Sequence, residues 1–209
     1  MSTVHHVDAA LLVLEKPAGL LSVPGLGPDK QDCLSARVQQ QYADALIVHR
    51  LDMSTSGLML MARGKAAQSV LSRQFAERRV HKRYEAIVHG AVAQTALAWN
   101  DIDLPIALDW PHRPLRIVSA VDGKPSQTRW RIVDRPTPST TRLELEPVTG
   151  RSHQLRVHLK AIGHPIIGDP LYGTDDLTAT SRLMLHATRI AFAHPVTAEP
   201  MSFFSAPDF

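Results

Sequence analysis

Two short apolar runs, Leu46-Ile47-Val48 and Leu58-Met59-Leu60-Met61, carry no polar residue and are separated by His49-Arg50-Leu51-Asp52-Met53-Ser54-Thr55-Ser56-Gly57. A continuous apolar run of this length fits a strand covered on both faces, because a half-exposed strand would alternate. The chain is thereby committed to a sheet packed on either side, with Ser-Thr-Ser-Gly supplying the turn chemistry between the runs. An Asp at the mouth of such a turn is held by the sheet and stays reachable by a ligand, where catalytic groups tend to lie. Its ordinary pKa near ~3.9 leaves it ionised at neutral pH, ready to act as nucleophile or base. The same Asp also fits a residue that only closes its own turn.

At 209 residues, 44% of them apolar and 21% charged, the chain can bury one good core or a core with a small appendage. That balance excludes a disordered, fibrous or membrane-embedded protein. The N-terminal apolar run Ala9-Ala10-Leu11-Leu12-Val13-Leu14 stops at Glu15-Lys16, too short to span a bilayer and without the basic leader of a signal peptide. The expected location is cytoplasmic. A single cysteine, Cys33, excludes an internal disulfide and a multi-Cys zinc site, and is expected as a small buried residue in a helix.

The formal net charge of +3 says less than its distribution. Arg73, Arg78, Arg79, His81, Lys82 and Arg83 crowd one segment against a lone Glu77, and Arg113, Arg116, Lys124, Arg129 and Arg131 follow. Converging on one face they would bind phosphates; scattered, they would be solvated surface charge.

No repeat or low-complexity tract interrupts the chain, so a single domain over residues 1–209 is the economical expectation. Ala10 to Glu15 reads as a strand and Ser22 to Pro28 as a loop. A helix is expected from an Asp32 cap, with Leu34, Val38 and Tyr42 on one face. A second helix is expected from about Lys65 to Arg79, burying Ala67, Val70, Leu71 and Phe75, its basic last turn suited to the helix dipole. Residues 84–89, 126–133 and 140–147 alternate as half-buried strands, with Leu143 and Leu145 in and Arg142, Glu144 and Glu146 out. The Pro-rich stretch from Asp103 to Pro114 fits no regular element, and long irregular loops in compact domains are usually functional. A third helix is expected over Ser152 to Ile162, ended by Gly163 and Pro165, which places Thr149-Gly150-Arg151 at a strand-to-helix junction. Strand pairs joined too closely for helical crossovers make the fold class α+β, with a mixed, largely antiparallel central sheet and flanking helices.

Familiar phosphate and metal signatures fail. Gly25-Leu26-Gly27 lacks the third glycine of a dinucleotide turn, and neither Gly64-Lys65 nor Gly123-Lys124 carries the rest of a P-loop. His-Arg-Leu-Asp differs from the kinase His-Arg-Asp by an extra residue. His153 and His158 are five apart with no zincin Glu, so hydrogen-bonding histidines are favoured over a metal site.

Several segments together carry a family resemblance. Lys16-Pro17-Ala18-Gly19-Leu20, His49-Arg50-Leu51-Asp52 with Thr55-Ser56-Gly57-Leu58, Lys82-Arg83-Tyr84-Glu85-Ala86, the run from Thr149 to His158, Arg182 to Ala187, and Phe192-Ala193-His194-Pro195 stand in the order seen in the RluA family of pseudouridine synthases. The resemblance covers nearly the whole chain. Leu21 to Gly25, Asp109-Trp110-Pro111, Gly123-Lys124-Pro125 and Ala206 to Phe209 resemble its dual-specificity branch, as does the lack of an extra N-terminal RNA-binding domain.

The resemblance implies the pseudouridine synthase catalytic domain fold and a reaction without cofactor or metal: the glycosidic bond of uridine breaks, the base turns, and ribose rejoins at C5. Asp52 matches the catalytic Asp. Arg151 matches the residue that pairs with that carboxylate and orients it, and its place at a helix start, where the dipole disfavours a cation, suits an anionic partner. Tyr84 matches the tyrosine that stacks on the target uracil, and Leu155 the apolar floor of the base pocket. Extracting a stacked uridine costs roughly a few kcal/mol. Arg50 resembles the side chain that fills the vacated space, with His49 beside it, and Arg113 in the Pro-rich loop would help grip the RNA. The implied partner is structured RNA, a tRNA anticodon stem-loop and 23S rRNA, with no membrane and no obligate protein partner. A synthase restricted to one of these RNAs, an RNA-binding module without catalysis, or a hydrolase using Asp52 as nucleophile would each share part of the pattern.

Overall fold

The structure is a computed structural model that describes residues 3–93, 98–173 and 182–209. In chain order its elements are β1 (Val4–Val7), β2 (Leu11–Lys16), α1 (Leu34–Gln39), β3 (Ala45–Ile47), β4 (Ser56–Arg63), α2 (Gly64–Ala76), β5 (His81–His89), β6 (Asn100–Asp103), β7 (Ile106–Leu108), β8 (Arg116–Val118), β9 (Gln127–Thr137), β10 (Thr140–Pro147), α3 (Gln154–Ala161), β11 (Leu185–Ala193) and β12 (Pro200–Phe204). They divide into two compact units, the described residues of Met1–Lys82 with His186–Asp208, and those of Arg83–Leu185 with Phe209. Both units are α+β and predominantly antiparallel.

In the first unit β2 pairs antiparallel with β1 and β4. The far edge of β4 takes β3 opposite residues 61–63 and the parallel strand β11 opposite Ser56 and Gly57, while β12 pairs with β11. The continuous apolar runs are explained by two cores, one on each face. Leu11, Val13, Leu58 and Leu60 pack with Ala67 and Leu71 of α2. Leu12, Leu14, Met59 and Met61 pack with Leu34 and Val38 of α1. Each of the leucine, valine and methionine side chains among these leaves water almost completely, a gain of about 1.5–3 kcal/mol apiece.

Several helix ends differ from expectation: Tyr42 lies beyond α1, which ends at Gln39, and α3 begins at Gln154 rather than Ser152. The N-cap of α1 is Cys33, whose Sγ accepts the Ala36 N–H at 3.4 Å, while Asp32 holds Arg37 at 2.6 Å. The carbonyls of Leu21 and Ser22 already take the N–H groups of Leu34 and Ser35, which removes the need for a strong carboxylate cap. Cys33 is buried as expected, at the mouth of the helix. Helix α2 stops at Ala76, because Arg78 turns left-handed (φ 57°) and Arg79 N–H returns to the Gln74 carbonyl. Arg78 and Arg79 thus lie past the helix.

In the second unit β5, β10, β9 and β6 form an antiparallel sheet. Strand β10 alternates as its sequence does, Leu143 and Leu145 entering a core with Ala86, Val88, Trp130, Ile132 and, from α3, Leu155 and Leu159. Its other face is polar, with Arg83, Arg129 and Arg131 paired to Glu144 and Glu146 around the Trp99 ring. The Pro-rich stretch is not wholly irregular. Residues 106–108 pair with 116–118 as a two-stranded ribbon, which no local pattern foretells because the partner strand lies beyond the loop. Helix α3 ends as expected at Gly163 (φ 86°). Among the described residues no helix is long and apolar enough to cross a membrane.

Candidate active site

The His49–Asp52 segment leaves β3 and runs without regular structure to a turn at Met53-Ser54, closed by the Thr55 N–H on the Asp52 carbonyl at 3.1 Å. Its backbone is clamped on both sides of Asp52. The Ser22 hydroxyl donates to the Leu51 carbonyl at 2.7 Å and accepts the Leu51 N–H at 3.1 Å. The Met53 carbonyl accepts from Gly19 N–H at 2.9 Å and from the Lys16 ammonium at 3.0 Å. Lys16 is fully buried and also donates to the carbonyls of Pro17 and Leu20. The Lys-Pro-Ala-Gly-Leu segment is therefore a cradle for the loop that carries the acid. Leu51 is buried, Asp52 half-buried and Arg50 exposed, so the frame is rigid while the two charged side chains remain reachable.

His49 braces the same loop. Its Nε2 accepts the Leu60 N–H at 2.9 Å and its ring stacks on Phe75 at 4.6 Å. Leu60 lies on β4 between the stretch covered by β11 and the stretch covered by β3, so the imidazole takes the place of a missing strand partner. Burial, helped by the nearby charge of Lys82, pushes its pKa down to about 3. Lys82 is itself lowered by burial. His49 is neutral at physiological pH, accepting through Nε2 and carrying its proton on Nδ1.

This makes a pH prediction. The unfolded chain protonates His49 below its ordinary value of 6.5, and the folded chain resists until about 3. Between those values the unfolded state binds more protons, so this contribution to stability is full above pH 6.5 and is lost as pH falls toward 3. His49→Gln keeps an acceptor for Leu60 N–H without the titration. Urea unfolding of the two proteins across this window should show a shallower pH slope in the variant, by up to about 1.4 kcal/mol per pH unit; parallel curves would mean His49 is solvated.

In the second unit Tyr84 is half-buried on β5, opposite Leu145 of β10, and packs at the margin of the core that contains Leu155. Leu155 is 6% exposed, in the first turn of α3. Arg151 is exposed in the turn before that helix, with its Nε 3.4 Å from the Pro125 carbonyl. The turn is set by Gln154, a buried side chain whose Oε1 accepts the Arg151 N–H (3.0 Å) and the Thr149 hydroxyl (2.8 Å). Its Nε2 donates to the Gln127 carbonyl and the Thr128 hydroxyl. Arg113 is exposed on the tip between β7 and β8, its guanidinium 4.3 Å above the exposed Trp110 ring.

The region that matches a family model spans residues 10–161 and contains every residue named above, and that family is described as RNA pseudouridylate synthase. The chain belongs to this family. It is an isomerase. Proteins named dual-specificity RNA pseudouridine synthase RluA resemble it along nearly its full length: that of Vibrio parahaemolyticus is 47% identical over 207 residues, covering 97% of this chain and 82% of that protein. The Yersinia pestis protein is 45% identical over 207 residues, covering 99% of each. Among solved structures, human RNA pseudouridylate synthase domain containing 1 superposes with a TM-score of 0.83 at 28% identity, covering 100% of this chain and 84% of that one.

Within the synthase, then, His49, Arg50 and Asp52 share one loop of the first unit. Arg151 and Leu155 flank the start of α3 in the second, and Tyr84 meets Leu155 at their common core. Neither Ser22 nor Gln154 stands out by spacing; the only signal was a polar residue at a position that packing makes internal. His158 is buried with both nitrogens engaged, Nδ1 with the Thr128 hydroxyl and Nε2 with the Leu104 carbonyl, and burial lowers its pKa. That gives it a structural part.

Lys16→Met would take the ammonium from three carbonyls; that of Met53, in the Asp52 loop, keeps the Gly19 N–H, so those of Pro17 and Leu20 bear the loss. At about 1–3 kcal/mol for each orphaned buried group, partly relieved by relaxation, the loss of unfolding free energy should reach roughly 3 kcal/mol. Urea denaturation checks it, and a change below about 1 kcal/mol would show that Lys16 is not the clamp.

Proposed function

We propose that this synthase isomerises one uridine in a tRNA anticodon loop and one in 23S rRNA. Asp52 acts as the catalytic carboxylate, with Tyr84 and Arg151 completing the catalytic set, and Arg50 enters the space that the extracted base leaves. In the reaction the N1–C1′ bond breaks, the base turns, C5 bonds to C1′, the hydrogen on C5 leaves to solvent as a proton, and N1 takes up a proton in its place. Nothing is added or lost overall, and a carboxylate beside ribose and uracil suffices.

The observation that carries the role of Asp52 is its loop: clamped at Leu51 and Met53, yet presenting Asp52 half-buried beside an exposed arginine. Catalysis needs this combination, since an acid displaced by even about 1 Å loses much of its effect. The two targets rest on the relatives named dual-specificity, which match almost the whole chain. An exposed guanidinium two residues before the candidate acid suits base extraction, because its planar face can stack where the uracil stood.

Release of tritium from C5-labelled uridine tests the reading, with unmodified tRNA and 23S rRNA transcripts offered separately. Release from both is expected. Release from one alone removes the dual target, and release from neither overturns the assignment of both RNAs.

A further inference from the structure

We infer that Tyr172 is a positioning residue that joins the β7–β8 ribbon to the turn carrying Arg151, and so sets where the Trp110–Arg113 tip stands for RNA. The inference rests on the RNA reading above and adds a residue to it.

A two-stranded ribbon is marginal in water and stays where its docking surface puts it. Here that surface is Tyr172. Its ring, 3% exposed, packs with Ile106 of β7, Leu115 at the ribbon tip and Val157 of α3. Its hydroxyl accepts the N–H of Arg116 on β8 at 2.8 Å. The same oxygen lies 2.7 Å from Nδ1 of His153, to which it can donate its proton. One hydroxyl thus bonds the ribbon on one side and the entrance of α3 on the other.

Both ends of this joint are held firmly. Tyr172 N–H and Leu171 N–H donate to the Asp169 carboxylate, at 3.1 and 2.9 Å. Asp169 is in turn locked to Arg156 of α3 by two bonds of 2.6 and 2.8 Å, with both residues buried. The Arg156 guanidinium lies 5.0 Å from the Tyr172 ring centre. On the other side His153 adopts a left-handed backbone (φ 57°) as the N-cap of α3, two residues after Arg151. A non-glycine residue pays for that conformation, so an interaction that fixes its ring helps keep the turn in place. Gln154 holds the Arg151 N–H from the opposite side.

The ribbon has something to position. Trp110 is 65% exposed and carries Arg113 against one face, leaving indole surface and a cation together at the tip. An unpaired base stacks on such a ring while the guanidinium meets its phosphate. The hydroxyl of Tyr172 touches neither RNA element; it acts through the elements it joins.

Tyr172→Phe removes the joint and keeps the ring. On a tRNA anticodon stem-loop, KM should rise about five- to tenfold with kcat within about twofold, because the grip is displaced while Gln154 still returns Arg151 to its place after each opening of the turn. In an Arg113→Ala background the same change should add less than about twofold, since the tip it positions is already disabled. Leu115→Ala, which loosens the ribbon without touching the hydroxyl, should reproduce the KM rise. An unchanged KM in Tyr172→Phe, or losses that multiply fully in the double variant, would overturn the inference. Hydrogen exchange separates this from failure of the RNA reading. Protection lost together at β8 and at residues 151–154 supports the joint whether or not RNA turns over, and loss confined to one of them overturns it.

Discussion

Asp52→Asn should abolish tritium release, by more than about 10³-fold, while RNA affinity stays within a few-fold. The substitution is nearly isosteric, removing the charge and exchanging one acceptor oxygen for an NH2 donor. The clamps that shape the loop act on the main chain of Leu51 and Met53, and the Thr55 N–H bonds the Asp52 carbonyl. The loop should therefore persist in the variant, with Arg50 still exposed beside it. Single-turnover release and filter binding on the same RNA separate chemistry from affinity, and thermal unfolding reports the fold. Near-normal turnover would remove Asp52 from the catalytic set. A collapse in Tm with lost binding would instead make the carboxylate a structural element of its own turn.

Gly57→Ala is expected to be strongly destabilising. Gly57, the second residue of β4, adopts φ 110°, a conformation that L side chains rarely adopt, and it faces Ala187 across the parallel pairing of β4 and β11. A Cβ there would meet the Ala187 carbonyl oxygen, its nitrogen at 2.5 Å and its Cα at 2.8 Å. These are backbone atoms that no rotamer change can move. Relief requires the strands to separate, which also strains the neighbouring bond between the Ser56 hydroxyl and His186 Nδ1 at 2.8 Å. A loss above about 4 kcal/mol is expected in urea unfolding, with activity falling because the Asp52 turn feeds directly into this strand. A Tm within a few degrees of the parent would show that β4 and β11 can part cheaply.

The burial of β2 and β4 was legible because a strand covered on both faces must be apolar at every position, and Leu11–Leu14 and Leu58–Met61 are. The alternation of β10 and the stop of α3 at Gly163 were legible for equally local reasons. The cap of α1 was not, since Cys33 suffices only because carbonyls of the preceding loop serve the next two amides. Nor was the ribbon of β7 and β8 visible within a stretch of three prolines. Its hydrogen bonds join residues 106–108 within that stretch to 116–118 just beyond it, and its seat is a tyrosine far along the chain.

For the site, the residue types came from sequence: Asp52 and Arg50 from a short motif, Tyr84, Arg151 and Leu155 from others in a fixed order. The family follows from that order alone, since side-chain identity and spacing are local properties that persist without a fold. Tertiary structure decided how the acid is held. Lys16 reaches Met53 from 37 positions away, Ser22 reaches Leu51 from 29, and His49 completes an amide that two separate strands leave uncovered. Such contacts depend on where distant backbone groups remain unpaired after the sheet has formed, and a buried N–H or C=O must find a partner wherever the fold provides one.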